Sequence, residues 1–242
     1  MGARLRGIRL RCPGQCTVCR QWCERAVCPG CLQRYARPRP RCWTCALPLP
    51  PEALGYAEPR CGACLAHPPP LARCVAALDY AFPWDGLLRR FKFERGLELR
   101  GLLADRLDQA LIAAQATLPE ALPDLLLAVP LARARLRERG YNQSLEIARV
   151  LARRHGLRAP SRWLLRVRDT AAQTALDLQA RHVNVRGAFA VEPGHLERLA
   201  GRHVALVDDV MTTGATLHEL ARVLHQAGAL RVQAWVVART AE

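Results

Sequence analysis

Lysine is almost missing from this chain: Lys92 is the single lysine among 36 basic residues, and all the rest are Arg. A nucleotide-binding loop of the form G-x-x-x-x-G-K-[ST] is therefore excluded, because Lys92 sits in Phe-Lys-Phe. Long apolar runs are missing too. No segment approaches the about 18 consecutive apolar residues that a membrane span needs. Met1 to Pro13 is basic and lacks the apolar stretch, about 7–15 residues long, of a secretory signal. These absences imply no membrane span and point to the cytoplasm. Thiols stay reduced there, so metal binding rather than disulfide formation is the expected use of the 11 cysteines.

Acidic residues are also scarce, 21 against 36 basic, for a net charge of +15. Residues 1–75 hold 12 Arg and 3 acids, and residues 76–242 hold 24 basic and 18 acidic residues. A basic N-terminal segment suits a polyanion partner, nucleic acid first. An Arg-dominated composition can equally reflect coding bias. The length, 242 residues with 50% apolar content, fits one ordinary domain with a real core plus a small one.

Four C-x-x-C pairs follow one another: Cys16/Cys19, Cys28/Cys31, Cys42/Cys45 and Cys61/Cys64. Each such turn puts two thiolates on one side of a knuckle, and two knuckles complete a tetrahedral sulfur shell around Zn²⁺. One or two structural zinc sites are expected. Sequential pairing and an interleaved pairing, first with third and second with fourth, both fit the spacing. Cys12, Cys23 and Cys74 are left over and read as small packing residues. His67 reads as a linker residue beside Pro68–Pro70. The segments between knuckles are short and proline-rich, so metal must supply much of the folding energy. The proline run marks the expected boundary, with a zinc-ribbon module over 1–72 and a larger domain over 73–242.

The richest stretch is Val204-Ala205-Leu206-Val207-Asp208-Asp209-Val210-Met211-Thr212-Thr213-Gly214-Ala215-Thr216. It reads as a buried strand, two carboxylates at its C-terminal end and a phosphate cradle at a helix N-terminus. Backbone N–H groups and the helix dipole favour an anion there. Gly214 lets the backbone approach closely, and the threonines add hydroxyls. The paired acids suit ribose hydroxyls or Mg²⁺. Adjacent strand side chains point oppositely, so Asp208 and Asp209 are expected to differ in role.

Further strands are expected at Val75–Phe82, Leu125–Pro130 and Val232–Ala238. Helices are expected at Leu87–Phe93, Leu97–Leu111 and Ser144–His155. Alternating strands and helices imply a parallel α/β sheet, whose C-terminal strand ends converge on one crevice. The Arg-rich segment 133–143, read as a loop, would face the phosphate cradle across it. Residues 166–174 read as a flap, followed by a short return strand near Phe189.

The Asp-Asp-Val-Met-Thr-Thr-Gly-Ala-Thr run resembles the phosphoribosyl-pyrophosphate (PRPP) motif of type I phosphoribosyltransferases. That likeness implies a 5′-phosphate held by Val210, Met211, Thr212, Thr213, Gly214, Ala215 and Thr216, and a ribose held by Asp208 and Asp209. Taken with the zinc knuckles, Leu-Arg-Arg-Phe-Lys-Phe, Val-Pro-Leu, Arg-Glu-Arg-Gly-Tyr-Asn-Gln-Ser, Arg-Asp-Thr-x-x-Gln-Thr and Arg-x-x-Asn-Val-x-Gly-Ala-Phe, the order resembles the ComF family, especially its GntX-like members. The resemblance implies a type I phosphoribosyltransferase fold behind a zinc-ribbon module. It implies pyrophosphate and flap roles for Arg137, Arg139, Gly140, Asn142, Gln143, Arg168, Gln173, Arg181 and Lys92, with Mg²⁺ accompanying PRPP. It also implies single-stranded DNA handling in DNA uptake and a DNA-uptake helicase as partner. Read from the residues, a zinc module acting as an adaptor would grip single strands through Arg side chains and stacking on Trp22, Tyr35 or Trp43. Two alternatives stand beside this reading: a PRPP-dependent transferase of nucleobase salvage, and a non-catalytic adaptor for nucleic acid or protein. No general base for an acceptor is evident.

Overall fold

A computed structural model describes residues 14–94, 96–117, 121–168 and 185–241. By its contacts the chain divides into two compact units, Met1–Arg37 and Pro38–Glu242. The cysteine module expected over 1–72 is therefore shared between them. Cys12, Gln173 and Arg181 lie outside the described residues.

In the first unit, strands β1 (Gly14–Gln15) and β2 (Trp22–Cys23) pair antiparallel, and helix α1 spans Pro29–Tyr35. The turn between the strands closes through Arg20 N–H to Cys16 O at 2.9 Å and Cys16 N–H to Gln21 O at 2.8 Å. The Cys28 sulfur caps α1 by accepting from Cys31 N–H at 3.4 Å. Pro29 follows at the first helical position, where its missing N–H costs nothing.

The second unit holds a short helix α2 (Gly62–Ala66), strand β3 (Arg73–Asp79), helices α3 (Trp84–Phe93) and α4 (Leu99–Thr117), strand β4 (Leu125–Ala128), and helices α5 (Arg133–Arg139) and α6 (Gln143–His155). Strands β5 (Leu164–Arg166) and β6 (Phe189–Val191) form an antiparallel pair. A one-turn helix α7 (Leu196–Leu199), strand β7 (His203–Met211), helix α8 (Ala215–Gln226) and strand β8 (Arg231–Arg239) complete it.

Strands β3, β8, β7 and β4, in that order, make one all-parallel sheet. Its strands are buried on both faces, which is why they read as continuous apolar runs. Leu127, Leu206, Ala234 and Val236 share one cluster with Leu217, Leu220 and Leu224 of α8. Helices α4 and α6 pack on the sheet and on each other. The buried positions of α4 are Leu99, Leu103, Ala104 and Leu107, while Leu102, Ala110 and Leu111, expected on the same apolar stripe, are half-buried.

Residues 133–139 form a helix where a loop was expected. Arg, Ala, Leu and Glu are all strong helix formers. The helix stops at Gly140, which takes the left-handed conformation at φ 79° and caps it through Gly140 N–H to Leu136 O. Helical spacing then decides which arginines share a face: Arg135 and Arg139 do, and Arg137 does not.

Candidate functional site

The crevice lies at the C-terminal end of β7, where parallel α/β sheets bind ligands. Val204 to Val207 are completely buried, and they deliver Asp208 and Asp209 to the strand's end. A cavity of about 260 Å³ opens there, lined by Lys92, Arg135, Arg139, Gln143, Asp208 and Asp209 among others.

The two acids have different partners, as strand alternation anticipates. Asp209 is only 4% exposed. Its Oδ1 meets Lys92 Nζ at 3.0 Å, and its Oδ2 is buried without a hydrogen-bond partner. Asp208 Oδ1 accepts from Ser144 Oγ and from Asp209 N–H, both at 2.9 Å. Burial first, and then the Asp209 charge, push the Asp208 carboxyl up to about 7, against the opposing pull of Lys92.

The loop after β7 turns sharply. Gly214 caps α8 with φ 82°, a left-handed conformation that side chains resist. A Cβ there would stand 2.6 Å from Met211 Cε and 2.8 Å from the His218 ring. Thr213 Oγ1 accepts from Ala215 N–H at 3.3 Å, tightening the turn. The first turn of α8 has no acidic residue, so its positive end is not neutralised from within. A small cup of about 40 Å³ lies against Thr212, Gly214, Ala215 and Thr216, the size of one small anion rather than a base.

Across the crevice stands α5. Arg139 is partly buried, its guanidinium 4.6 Å from the Phe93 ring centre and its Nε without a partner. Burial lowers its pKa from the ordinary value, and Asp209 opposes the shift. Arg135 joins it on the lining, whereas Arg137 is exposed and does not line the crevice. Asn142 is committed to structure: its Oδ1 caps α6 by accepting from Ser144 and Leu145 N–H, and its Nδ2 donates to Val129 O at 2.9 Å. Gln143 is 2% exposed with an unpartnered Oε1 and lines the cavity. Beside Lys92, Tyr141 Oη donates to the Phe91 carbonyl and its ring packs 5.9 Å from that of Phe91. Arg168 Nη2 donates to Arg186 O at 2.6 Å. Tyr80 and Ser144 carry no signal in the sequence, whereas Arg135 and Arg166 stand in the basic segment and the flap expected there without a role of their own. Arg135 had a signal, its four-residue spacing from Arg139.

The cysteines form two quartets, Cys16/Cys19/Cys28/Cys31 and Cys42/Cys45/Cys61/Cys64, and within each all sulfurs lie within 4.8 Å of one another. Pairing is sequential, not interleaved. A Zn–S bond near 2.3 Å implies sulfurs about 3.8 Å apart on a tetrahedron. Two pairs, Cys19–Cys28 at 3.6 Å and Cys45–Cys61 at 3.7 Å, match it. Backbone N–H groups point at the sulfurs, Cys28 to Cys16 and Cys61 to Cys42, each at 3.3 Å. A hydrogen bond from Cys45 brings the Cys42 thiol down to about 4 in spite of burial. The donor set fits structural zinc at both quartets. Cys74 lies buried, and burial pushes its thiol up to about 12, as befits a packing residue.

Trp22 is 73% exposed, whereas Trp43 is 8% exposed with the Arg73 guanidinium 3.9 Å over its ring. Tyr35 is partly buried, with Arg34 over it at 5.2 Å. Among the described residues, no helix is long and apolar enough to cross a membrane.

Residues 96–242 match the family described as Phosphoribosyl transferase domain. The DNA utilization protein YhgH of Escherichia coli strain K12 is 35% identical over 237 residues, covering 96% of this chain and 99% of its own. Competence protein F of Haemophilus influenzae is 33% identical over 216 residues, covering 89% and 91%. Among solved structures, glutamine PRPP amidotransferase from B. subtilis, complexed with ADP and GMP, is 21% identical at a TM-score of 0.37. It is matched over 57% of this chain and 25% of its own, and at that overlap it adds nothing to the assignment.

Proposed function

This chain belongs to the ComF family of phosphoribosyl transferase-domain proteins, and from that premise we propose that it binds PRPP, or a 5-phosphoribosyl group, in work on DNA. The observation that carries the ligand is Asp209: a buried carboxylate with one oxygen on Lys92 and the other without a partner, above a glycine-capped helix N-terminus. A buried, half-satisfied carboxylate is costly unless a ligand completes it. Ribose hydroxyls donate to such an oxygen, and Mg²⁺ coordinates it. The cup at 212–216 takes the 5-phosphate, and Arg135 and Arg139 face the pyrophosphate.

Transfer requires a nucleophile to attack C1 of the ribose as the C1–oxygen bond to pyrophosphate breaks. Asp208 or Asp209 would hold Mg²⁺, which would offset charge on the leaving group. The chain's own residues orient the ribose and phosphate, and the two arginines offset the charge gathering on the departing oxygens. Among the described crevice residues no histidine or ordinary base faces an acceptor position. That supports a site that recognises a phosphoribosyl end at least as well as one that turns it over.

The DNA role rests on the names of the two relatives, DNA utilization protein and Competence protein F. It is supported by an exposed Trp22 on the first cysteine knuckle with Arg20 and Arg25 beside it in sequence. An exposed indole among arginines suits stacking on single-stranded bases. A helicase of DNA uptake is the protein partner this role calls for, and the cytoplasm is where it would work.

Calorimetry with PRPP and Mg²⁺ tests the ligand. The Asp209→Asn variant should lose about 10–150-fold in affinity, the worth of a hydrogen bond to a charged group, while keeping its zinc. Equal affinity in the two proteins would remove the ribose assignment.

A further inference from the structure

Beneath the 212–216 loop the structure buries an arginine that the crevice does not use. Arg239, the last residue of β8, is 2% exposed. Its Nε donates to the Cys45 carbonyl at 3.0 Å, and its Nη1 donates to the Thr240 carbonyl at 2.6 Å and to Thr240 Oγ1 at 3.1 Å. Thr240 N–H donates in turn to the Met211 carbonyl at 3.1 Å. Met211 stands opposite Arg239 in the ladder of β7 and β8, and the loop departs from Met211.

A second line of contact runs beside the first. Cys74 N–H donates to the Trp43 carbonyl at 2.8 Å, and Cys74 Sγ lies 3.6 Å from Met211 Sδ. Trp43 and Cys45 belong to one knuckle of the second quartet. Cys42, Cys45, Cys64, Cys74, Met211 and Ala215 share one buried cluster. The quartet is thus built into the same core as the loop.

A buried guanidinium is costly unless its donors are met. Here one acceptor is the carbonyl of Cys45, whose sulfur belongs to the second quartet. Metal closes that knuckle, and loss of metal frees it. A freed knuckle would withdraw the Cys45 carbonyl from Arg239 and weaken the support under Met211.

We propose that Arg239 is a positioning residue that ties the 212–216 loop to the second cysteine quartet, so that metal held by Cys42, Cys45, Cys61 and Cys64 sets the loop's conformation. The proposal rests on the reading of that loop as a phosphate site only for its consequence in ligand binding. The coupling itself is a property of the backbone and can be read without ligand.

Amide hydrogen exchange on the full chain tests it, with zinc content measured in parallel. In Arg239→Gln, zinc is retained while exchange at 212–216 quickens about tenfold or more, and α6 keeps its protection. Arg239→Lys, which retains a donor for the Cys45 carbonyl, recovers part of the protection. Chelation, or Cys61→Ser, reproduces the Arg239→Gln pattern, whereas Cys16→Ser in the first quartet leaves the loop unchanged. PRPP affinity falls in step with loop protection. Unchanged loop exchange in both Arg239→Gln and the chelated protein overturns the proposal. So does equal quickening in α6 in both Arg239 variants, which would make Arg239 a general stabiliser. Should the parent protein fail to bind PRPP, the ligand reading falls and the exchange data still decide the coupling.

Discussion

Lys92 and Asp209 are 117 positions apart in sequence and meet as an ion pair of 3.0 Å. Lys92 lies in the last turn of α3 and Asp209 near the end of β7. The single lysine of an arginine-rich chain is thus placed against the most buried acid of the crevice. A compact ammonium covers one carboxylate oxygen and leaves the other open, which the wide fork of arginine would not do.

Replacing Lys92 by methionine keeps the stem and removes the charge. Asp209 then holds a buried charge with no cation in contact. The variant should lose about 1.5–3 kcal/mol of stability, read as a lower urea midpoint. Phosphoribosyl ligands should bind more weakly to it in calorimetry. An unchanged midpoint would show that the pair contributes nothing to folding.

Asp208 gives a pH dependence with a definite sign. Its folded value, about 7, lies above the ordinary 3.8. Between those values the folded state holds a proton that the unfolded chain has released. The stability this group contributes is complete below the ordinary value and is lost as pH rises through about 7. Asp208→Asn accepts the same Ser144 hydrogen bond without titrating. The stability difference between the two proteins, read from urea unfolding, should therefore shift in favour of the variant from pH 5 upward, by up to about 1.4 kcal/mol per pH unit, and level off above about 7. Mg²⁺-dependent ligand binding by the parent protein should strengthen over the same interval, because the carboxylate form is the one that holds a cation.

At Gly214 the backbone itself is at stake. Alanine at φ 82° costs about 1–2 kcal/mol for its Cβ alone, and the Met211 and His218 side chains must also shift. Gly214→Ala should lower the melting temperature by several degrees and abolish phosphate-ligand binding. Gly140→Ala, also at positive φ but with open space around its Cβ, should show the strain penalty with a smaller effect on ligand.

Of Trp22, Tyr35 and Trp43, Trp22 is the exposed ring, and stacking on single-stranded bases is the role proposed for it. Trp22→Ala should weaken single-stranded DNA binding by about 1–3 kcal/mol without changing PRPP affinity. Trp43→Ala should act on stability instead, since its ring is buried under Arg73. Affinity for DNA should fall steeply with salt if backbone phosphates dominate, as fluorescence anisotropy at two salt concentrations would show.

The sequence by itself determined what depends on neighbours along the chain. The apolar run into Asp208-Asp209, the glycine that caps α8, the helical stripe of α4 and the four cysteine knuckles are all local patterns, and each is where it was expected. Only the tertiary structure decided what converges. It turned 133–139 into a helix, so that Arg135 and Arg139 face the acids while Arg137 faces away. It spent Asn142 on a helix cap and paired the knuckles in sequence order. It also set the second quartet into the core beside Met211. These outcomes depend on the strand order β3-β8-β7-β4 and on which helix face meets the sheet. Spacing along the chain does not encode that order, because contacts between distant segments follow from how apolar faces are buried together.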